Sequence, residues 1–282
     1  MILKNRKGVD YMYRVGFSCG SISEERFKAL KESGIDAIEI SLSYEDLKTF
    51  DYKETLRLSK FYGIELWSFH LPFMPFAEID ISSTKEEVRR FSVDLCKGYI
   101  EKATEIGIDK FIIHPSGEPV MPDERSNRLE ACKNSLNELA EFAALKGAVI
   151  AVEDLPRTCL GNCADEMVEI LEANDKLRVC FDTNHLLKDT NSNFLKKVGD
   201  KIVTLHISDY DFVDEKHWLP GEGKVDWAEI MEGLKTLGYK GVWMYEVGLG
   251  NPRTLTRSRN LTFEDFVKNA KEVFEKKEIT RI

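Results

Sequence analysis

The chain has 282 residues, 43% of them hydrophobic and 32% charged, with 18 glycines and 8 prolines. That composition belongs to a folded globular protein long enough to bury a large core unaided, and it excludes disorder and fibrous repeats. A formal net charge of −9 argues against a protein whose main task is to neutralise duplex phosphates, although bound divalent cations would reverse the local field.

In chain order, the opening MILKNRKGVDYMYR is basic but lacks the apolar stretch of a secretory signal. Short apolar runs then alternate with longer amphipathic stretches to the end of the sequence. The runs are Arg14 to Ser18, Ala37 to Ser41, Glu65 to His70, Lys110 to His114, Val149 to Glu153, Arg178 to Asp182, Ile202 to His206 and Gly241 to Glu246. Each is rich in β-branched or aromatic residues, as a strand buried on both faces should be. Between them the period becomes helical. Val88, Phe91, Leu95, Tyr99, Ala103 and Ile106 recur at three and four residues. So do Leu129, Cys132, Leu136, Ala140 and Ala143, and later Trp227, Ile230, Leu234 and Leu237. Ser21 with Glu24 reads as a capping box for the first helix. Gly34, Gly63, Gly107, Gly147 and Gly238 each precede a strand and are expected to close the helix before it.

Eight strand–helix units predict a single (β/α)8 TIM barrel occupying residues 1–282 as one domain. A doubly wound open sheet fits less well, because GFSCGSIS is a poor match to a phosphate-binding glycine loop. No apolar run approaches the roughly 20 residues of a membrane span. The six cysteines, Cys19, Cys96, Cys132, Cys159, Cys163 and Cys180, show no paired framework and read as reduced thiols of a cytoplasmic protein. Cys159 and Cys163 have no second pair with which to build a metal site.

The polar residues fall in one register. His70, His114 and His206 close strands, His185 lies three residues beyond one, and His217 sits in the loop after the seventh. Glu153, Asp182 and Glu246 close the fifth, sixth and eighth strands. In a barrel these ends converge on the catalytic face. Alternation then turns Ala151, Cys180, Thr204 and Met244 inward one layer below, and Val152, Phe181, Leu205 and Tyr245 outward. Three carboxylates buried together, with no lysine or arginine ending any strand from the third to the eighth, call for a positive partner. A divalent metal supplies it. Three oxygens and one nitrogen suit Mn2+, Mg2+, Co2+ or Zn2+.

The strings LWSFH, FIIHP, AVEDLP, VCFDTNH, LHISD with HWLPGEG, and MYE resemble the successive strand-end motifs of the xylose-isomerase-like TIM-barrel superfamily, most of all its sugar phosphate isomerase/epimerase branch. The resemblance implies a metal held by Glu153, Asp182, His206 and Glu246, with Glu153 and Glu246 as the acid/base pair. It implies a sugar or sugar phosphate as substrate and a metal-stabilised cis-enediolate as intermediate. His185 and His217 resemble substrate or second-metal ligands.

The apurinic endonucleases of the same superfamily are the alternative. Their trinuclear zinc pattern maps onto His70, His114, Glu153, Asp182, His185, His206, His217 and Glu246, with additional Zn2+ as the consequence. Their Asp-x-His is here Glu215-Lys216-His217, and the acidic balance speaks against a nucleic-acid substrate. Arg157 and Lys188 are candidate contacts to a phosphate or hydroxyl, and Trp218 is the candidate stacking wall for a sugar. Trp67, Phe69 and Trp243 are expected to pack outward by alternation. Arg253, Arg257 and Arg259 form a basic run that suits a substrate phosphate, a second subunit of a homo-oligomer, or solvent.

Overall fold

Eight parallel strands run through the chain: β1 (Arg14–Cys19), β2 (Ala37–Ile40), β3 (Glu65–His70), β4 (Lys110–Ile113), β5 (Val149–Glu153), β6 (Arg178–Asp182), β7 (Ile202–His206) and β8 (Val242–Tyr245). Around them lie α1 (Glu24–Ser33), α2 (Tyr44–Lys48), α3 (Tyr52–Tyr62), α4 (Glu86–Thr104), α5 (Arg125–Leu145), α6 (Ala164–Leu171), α7 (Asn191–Val198), α8 (Trp227–Thr236) and α9 (Phe263–Phe274). This computed structural model describes residues 3–4, 10–11 and 13–282. Most of the opening segment read for a leader therefore lies outside the described residues. From β1 to β7 each strand pairs with the next, and β8 pairs with β1. The seam between β7 and β8 is closed by Ile207, whose N–H donates to Met244 O at 2.8 Å and whose carbonyl accepts from Glu246 N at 3.2 Å. The fold is a (β/α)8 barrel.

Side-chain parity follows the sequence. Val152, Phe181, Leu205 and Tyr245 belong to the layer shared with the helices, whereas Ala151, Cys180 and Met244 lie in small clusters inside the barrel. Trp67 is a correction. It does not pack outward with Phe69 and Trp243 but clusters inside the barrel with Ala37, Val242 and Met244, its Nε1–H donating to Thr204 Oγ1 at 3.0 Å. The register with β2 jumps from Ile38–Leu66 to Glu39–Ser68, so Trp67 is the extra residue of a β-bulge. A bulge resets the alternation, which lets Trp67 and then Ser68 both point inward.

Two other expectations shift. The cap of α1 is Ser23, whose Oγ accepts from Arg26 N at 3.2 Å, not Ser21. On α4 the buried stripe is Ser92, Val93, Cys96, Tyr99, Ile100 and Ala103, while Phe91 is 45% exposed. Ser92 can be buried because its hydroxyl donates to Val88 O and accepts from Asp80 N. The five helix-closing glycines all have positive φ; Gly34, at 99°, returns its N–H to Leu30 O at 3.2 Å and turns the chain into β2. Among the described residues, no helix is long and apolar enough to cross a membrane.

Candidate metal and active site

At the C-terminal end of the barrel, β5, β6, β7 and the residue after β8 bring Glu153, Asp182, His206 and Glu246 together. One ligand atom from each lies within 4.8 Å of the others. Nδ1 of His206 faces all three carboxylates, at 2.9 Å from Glu153, 3.8 Å from Asp182 and 3.4 Å from Glu246. Asp182 Oδ1 is occupied by the N–H of Asn184 at 2.6 Å. Its Oδ2, and Oε2 of Glu246, are buried with no hydrogen-bond partner. Imidazoles stand 3.4–3.8 Å from these two oxygens without hydrogen-bonding them, and carboxylate oxygens left so at such depth are costly unless a cation completes them. The donor set thus fits a divalent ion, with three oxygens and one imidazole.

The electrostatics agree. Burial works against ionisation of Glu153, yet His206 and the hydrogen bonds with His114, His206 and His70 hold its carboxyl well below the usual range. Burial pushes Asp182 up to about 7, with Glu246 and Glu153 adding to the effect against the pull of His185. Burial lowers the basicity of His206, but the surrounding anions overcome it and hold the imidazole well above its ordinary value. The metal-free cluster therefore holds protons where a cation would sit.

Two further groups flank it. His70, His114 and Glu153 converge on one side, with both Nε2 atoms on Glu153 Oε2 at 3.2 and 3.3 Å. His185, Glu215 and His217 converge on the other. Asn184 holds that second loop, its side-chain oxygen accepting from Lys216 N at 2.9 Å and His217 N at 3.4 Å. His217 adopts a left-handed φ of 52°, a strained conformation for a residue with a side chain. A cavity of about 430 Å3 opens beside Glu246 and His217, lined also by Ser18, Gly20, Arg26 and Ser41.

Not every expected residue reaches it. Arg157 is engaged by Glu118, Asp214 and Glu215 at 2.8, 2.9 and 3.0 Å, which keeps its guanidinium protonated and occupied. Lys188 is exposed on its loop. Trp218 is 8% exposed, donates Nε1–H to Thr254 Oγ1 at 3.0 Å and is not among the residues lining the cavity. Two members of the basic run are held in ion pairs, Arg257 buried on Glu222 at 2.7 Å and Arg259 reaching Asp265 at 2.6 Å, while Arg253 is exposed.

Two buried acids were not foreseen. Glu39, from β2, is fully buried; its Oε1 and Oε2 face His206 Nε2 at 3.0 and 3.1 Å and accept from Ser18 and Ser68 hydroxyls. Its signal was a lone charge inside the run AIEIS. Asp154 accepts the N–H of Asp182 at 2.8 Å through Oδ1, and burial pushes its carboxyl well above the ordinary range. Its position next to Glu153 was the signal.

Residues 27–263 match the family model of the xylose isomerase-like TIM barrel. The chain belongs to that family. Its relatives include the uncharacterized protein MJ1311 of Methanocaldococcus jannaschii, 30% identical over 177 residues, a match spanning 60% of each chain and so less than two thirds of that relative. The fructoselysine 3-epimerase of Shigella flexneri is 27% identical across 88% of this chain and 98% of its own. Among solved structures of the family's fold, a D-tagatose 3-epimerase-like protein superposes with a TM-score of 0.77 at 26% identity, covering 93% of this chain and 96% of that one.

Proposed function

We propose that this protein is a divalent-metal-dependent sugar epimerase or isomerase that uses Glu153 and Glu246 as its acid/base pair. The observation that carries the reading is the pair of buried oxygens on Asp182 and Glu246 that make no hydrogen bond within a four-residue donor cluster. The likeness to a fructoselysine 3-epimerase over nearly that enzyme's whole length supports a sugar ketose as the substrate class. Glu153, Asp182, His206 and Glu246 would hold the ion. When bound, it supplies a Lewis acid that polarises a carbonyl and acidifies the neighbouring C–H. The carboxylate-rich set favours Mn2+ or Mg2+.

The chain's own groups do the rest. Glu153 ends β5 and Glu246 follows β8, and on this reading a sugar held at the cluster lies between the two carboxylates. One removes the carbon-bound proton and the other delivers a proton to the opposite face, which inverts the centre. Delivery to the neighbouring carbon gives isomerisation instead. His70 and His114, both turned to Glu153, and His185, turned to Glu215 at 3.3 Å, are placed to steady these carboxylates and hydroxyls of the substrate.

The test is solvent deuterium exchange into a panel of ketoses and ketose phosphates. Glu153→Gln and Glu246→Gln should each keep measurable metal affinity, lose turnover by roughly a hundredfold or more, and exchange the proton of one epimer only. A wild-type protein that exchanges no carbon-bound proton in any of these sugars would sink the reading.

A second reading rests on the three adjoining ligand groups, which could hold more than one ion. Such a set suits phosphodiester hydrolysis of an apurinic duplex. Zinc-dependent nicking of an abasic duplex that persists at physiological salt would favour it, whereas the net charge of −9 predicts little phosphate affinity.

A further inference from the structure

We propose that Arg26 is an anion anchor, and hence that the sugar bound beside Glu246 carries a phosphate or carboxylate group. This deepens the sugar reading above and rests on it. The arginines of the loops and helix starts around the barrel mouth are nearly all committed: Arg125 to Glu166, Arg128 to Asp80, Arg157 to Glu118, Arg257 to Glu222 and Arg259 to Asp265. Arg26 is different. Half-buried at the start of α1, it lines the same cavity as Glu246 and His217; its guanidinium touches the buried Cys19 thiol, and among the described residues no carboxylate forms an ion pair with it. Its guanidinium stands 5.9 Å from the ring of Phe263, a contact that steadies it without neutralising it. Arg253 also lacks an ion pair, but it is exposed and outside the cavity wall.

The charge around the cavity sharpens the point. Behind Glu246, which lines the cavity, Glu39, Glu153 and Asp182 add three more carboxylates, and these already have the imidazoles of His70, His185 and His206 against them as well as the place for an ion. A neutral ketose needs no cation beyond the metal. An anionic substrate needs a fixed positive group to meet the charge at its far end, and among the described residues Arg26 is the arginine that lines this cavity. Ser18 and Ser41, on the same wall, offer hydroxyls to the remaining polar atoms. A guanidinium meets phosphate or carboxylate oxygens with parallel N–H donors, giving both strength and orientation.

The experiment is calorimetric binding to metal-loaded protein of D-fructose, D-fructose 6-phosphate and D-fructuronate, with wild type, Arg26→Gln and Arg26→Lys. Wild type should bind at least one anionic sugar roughly tenfold or more tighter than D-fructose. Whichever anionic sugar shows the advantage distinguishes phosphate from carboxylate. The ratio should fall toward one in Arg26→Gln and recover in part in Arg26→Lys, a charge-keeping variant that guards against a folding artefact. No anionic preference in wild type, or a preference that Arg26→Gln leaves intact, overturns the proposal. Deuterium exchange on the same sugars separates the two readings: an Arg26-dependent preference without any exchange would sink the ketose chemistry and leave the anchor standing.

Discussion

His206 has carboxylates against both ring nitrogens, Glu153 at Nδ1 and Glu39 at Nε2. With Nε2–H given to Glu39, the Nδ1 lone pair faces Asp182, Glu246 and Glu153, the orientation a metal ligand needs. Glu39 is itself held by Ser18 at 2.9 Å and Ser68 at 2.8 Å, so it has little freedom to leave. Glu39→Gln keeps the shape and removes the charge; metal affinity should fall about ten- to a hundredfold, read by competition with a chromogenic chelator. Unchanged affinity would deny Glu39 that role. Asp182→Ala and His206→Ala remove ligands outright and should abolish tight binding of the ion, measured by elemental analysis after gel filtration. Glu39 could have been noticed in AIEIS, but nothing local says that its partner is a histidine 167 residues away.

The loop after β7 shows how an element can carry a motif without carrying chemistry. Asp209 collects the N–H groups of Tyr210, Gly221 and Val225 and the indole of Trp227, which folds the loop into a compact unit. Gly223 has no room for a side chain: a Cβ there would lie 2.3 Å from Asp209 Oδ1 and from the Tyr210 carbonyl. Glu222, between two glycines, receives the guanidinium of Arg257, and both side chains are buried. HWLPGEG is therefore largely a structural signature whose task is to present His217. Arg257→Ala strands a buried carboxylate and should destabilise the fold by about 3–5 kcal/mol in denaturant melts. A loss below about 1 kcal/mol would mean that the pair is not the clasp. The β3 bulge belongs to the same scale, since one extra residue moved Trp67 inside the barrel against the simple period.

Across the whole molecule, a closed barrel concentrates acids at one mouth and leaves them short of positive charge. Removing the metal should therefore lower the melting temperature, while an ion at about 100 times its Kd should add about 2.7 kcal/mol. Scanning calorimetry with and without chelator checks this; identical melts would deny a ligand-grade site. The protons bound by the metal-free cluster set the pH dependence. Asp182, raised to about 7, is protonated below that value and must release its proton on binding. Metal affinity should accordingly climb from pH 6 to pH 8, by at most about tenfold per unit for each proton released. Affinity that is flat or falls over that interval would contradict it.

The sequence by itself determined the strand–helix alternation, the closed barrel and the face on which the chemistry gathers. These follow from local periods: apolar strands, helical stripes, glycines that end helices, and polar residues at strand ends. The cluster of candidate ligands was legible for the same reason, because Glu153, Asp182, His206 and Glu246 each end or follow a strand. Only the tertiary structure decided what those residues meet. It set Glu39 behind His206, turned Trp67 inward, spent Arg157 on Glu118, Asp214 and Glu215, drew Arg257 into the core and left Arg26 open to the cavity. Pairings of this kind join elements far apart in the chain. They are settled by closure of the barrel and by competition among charges for the nearest partner, and neither is encoded in any single window of sequence.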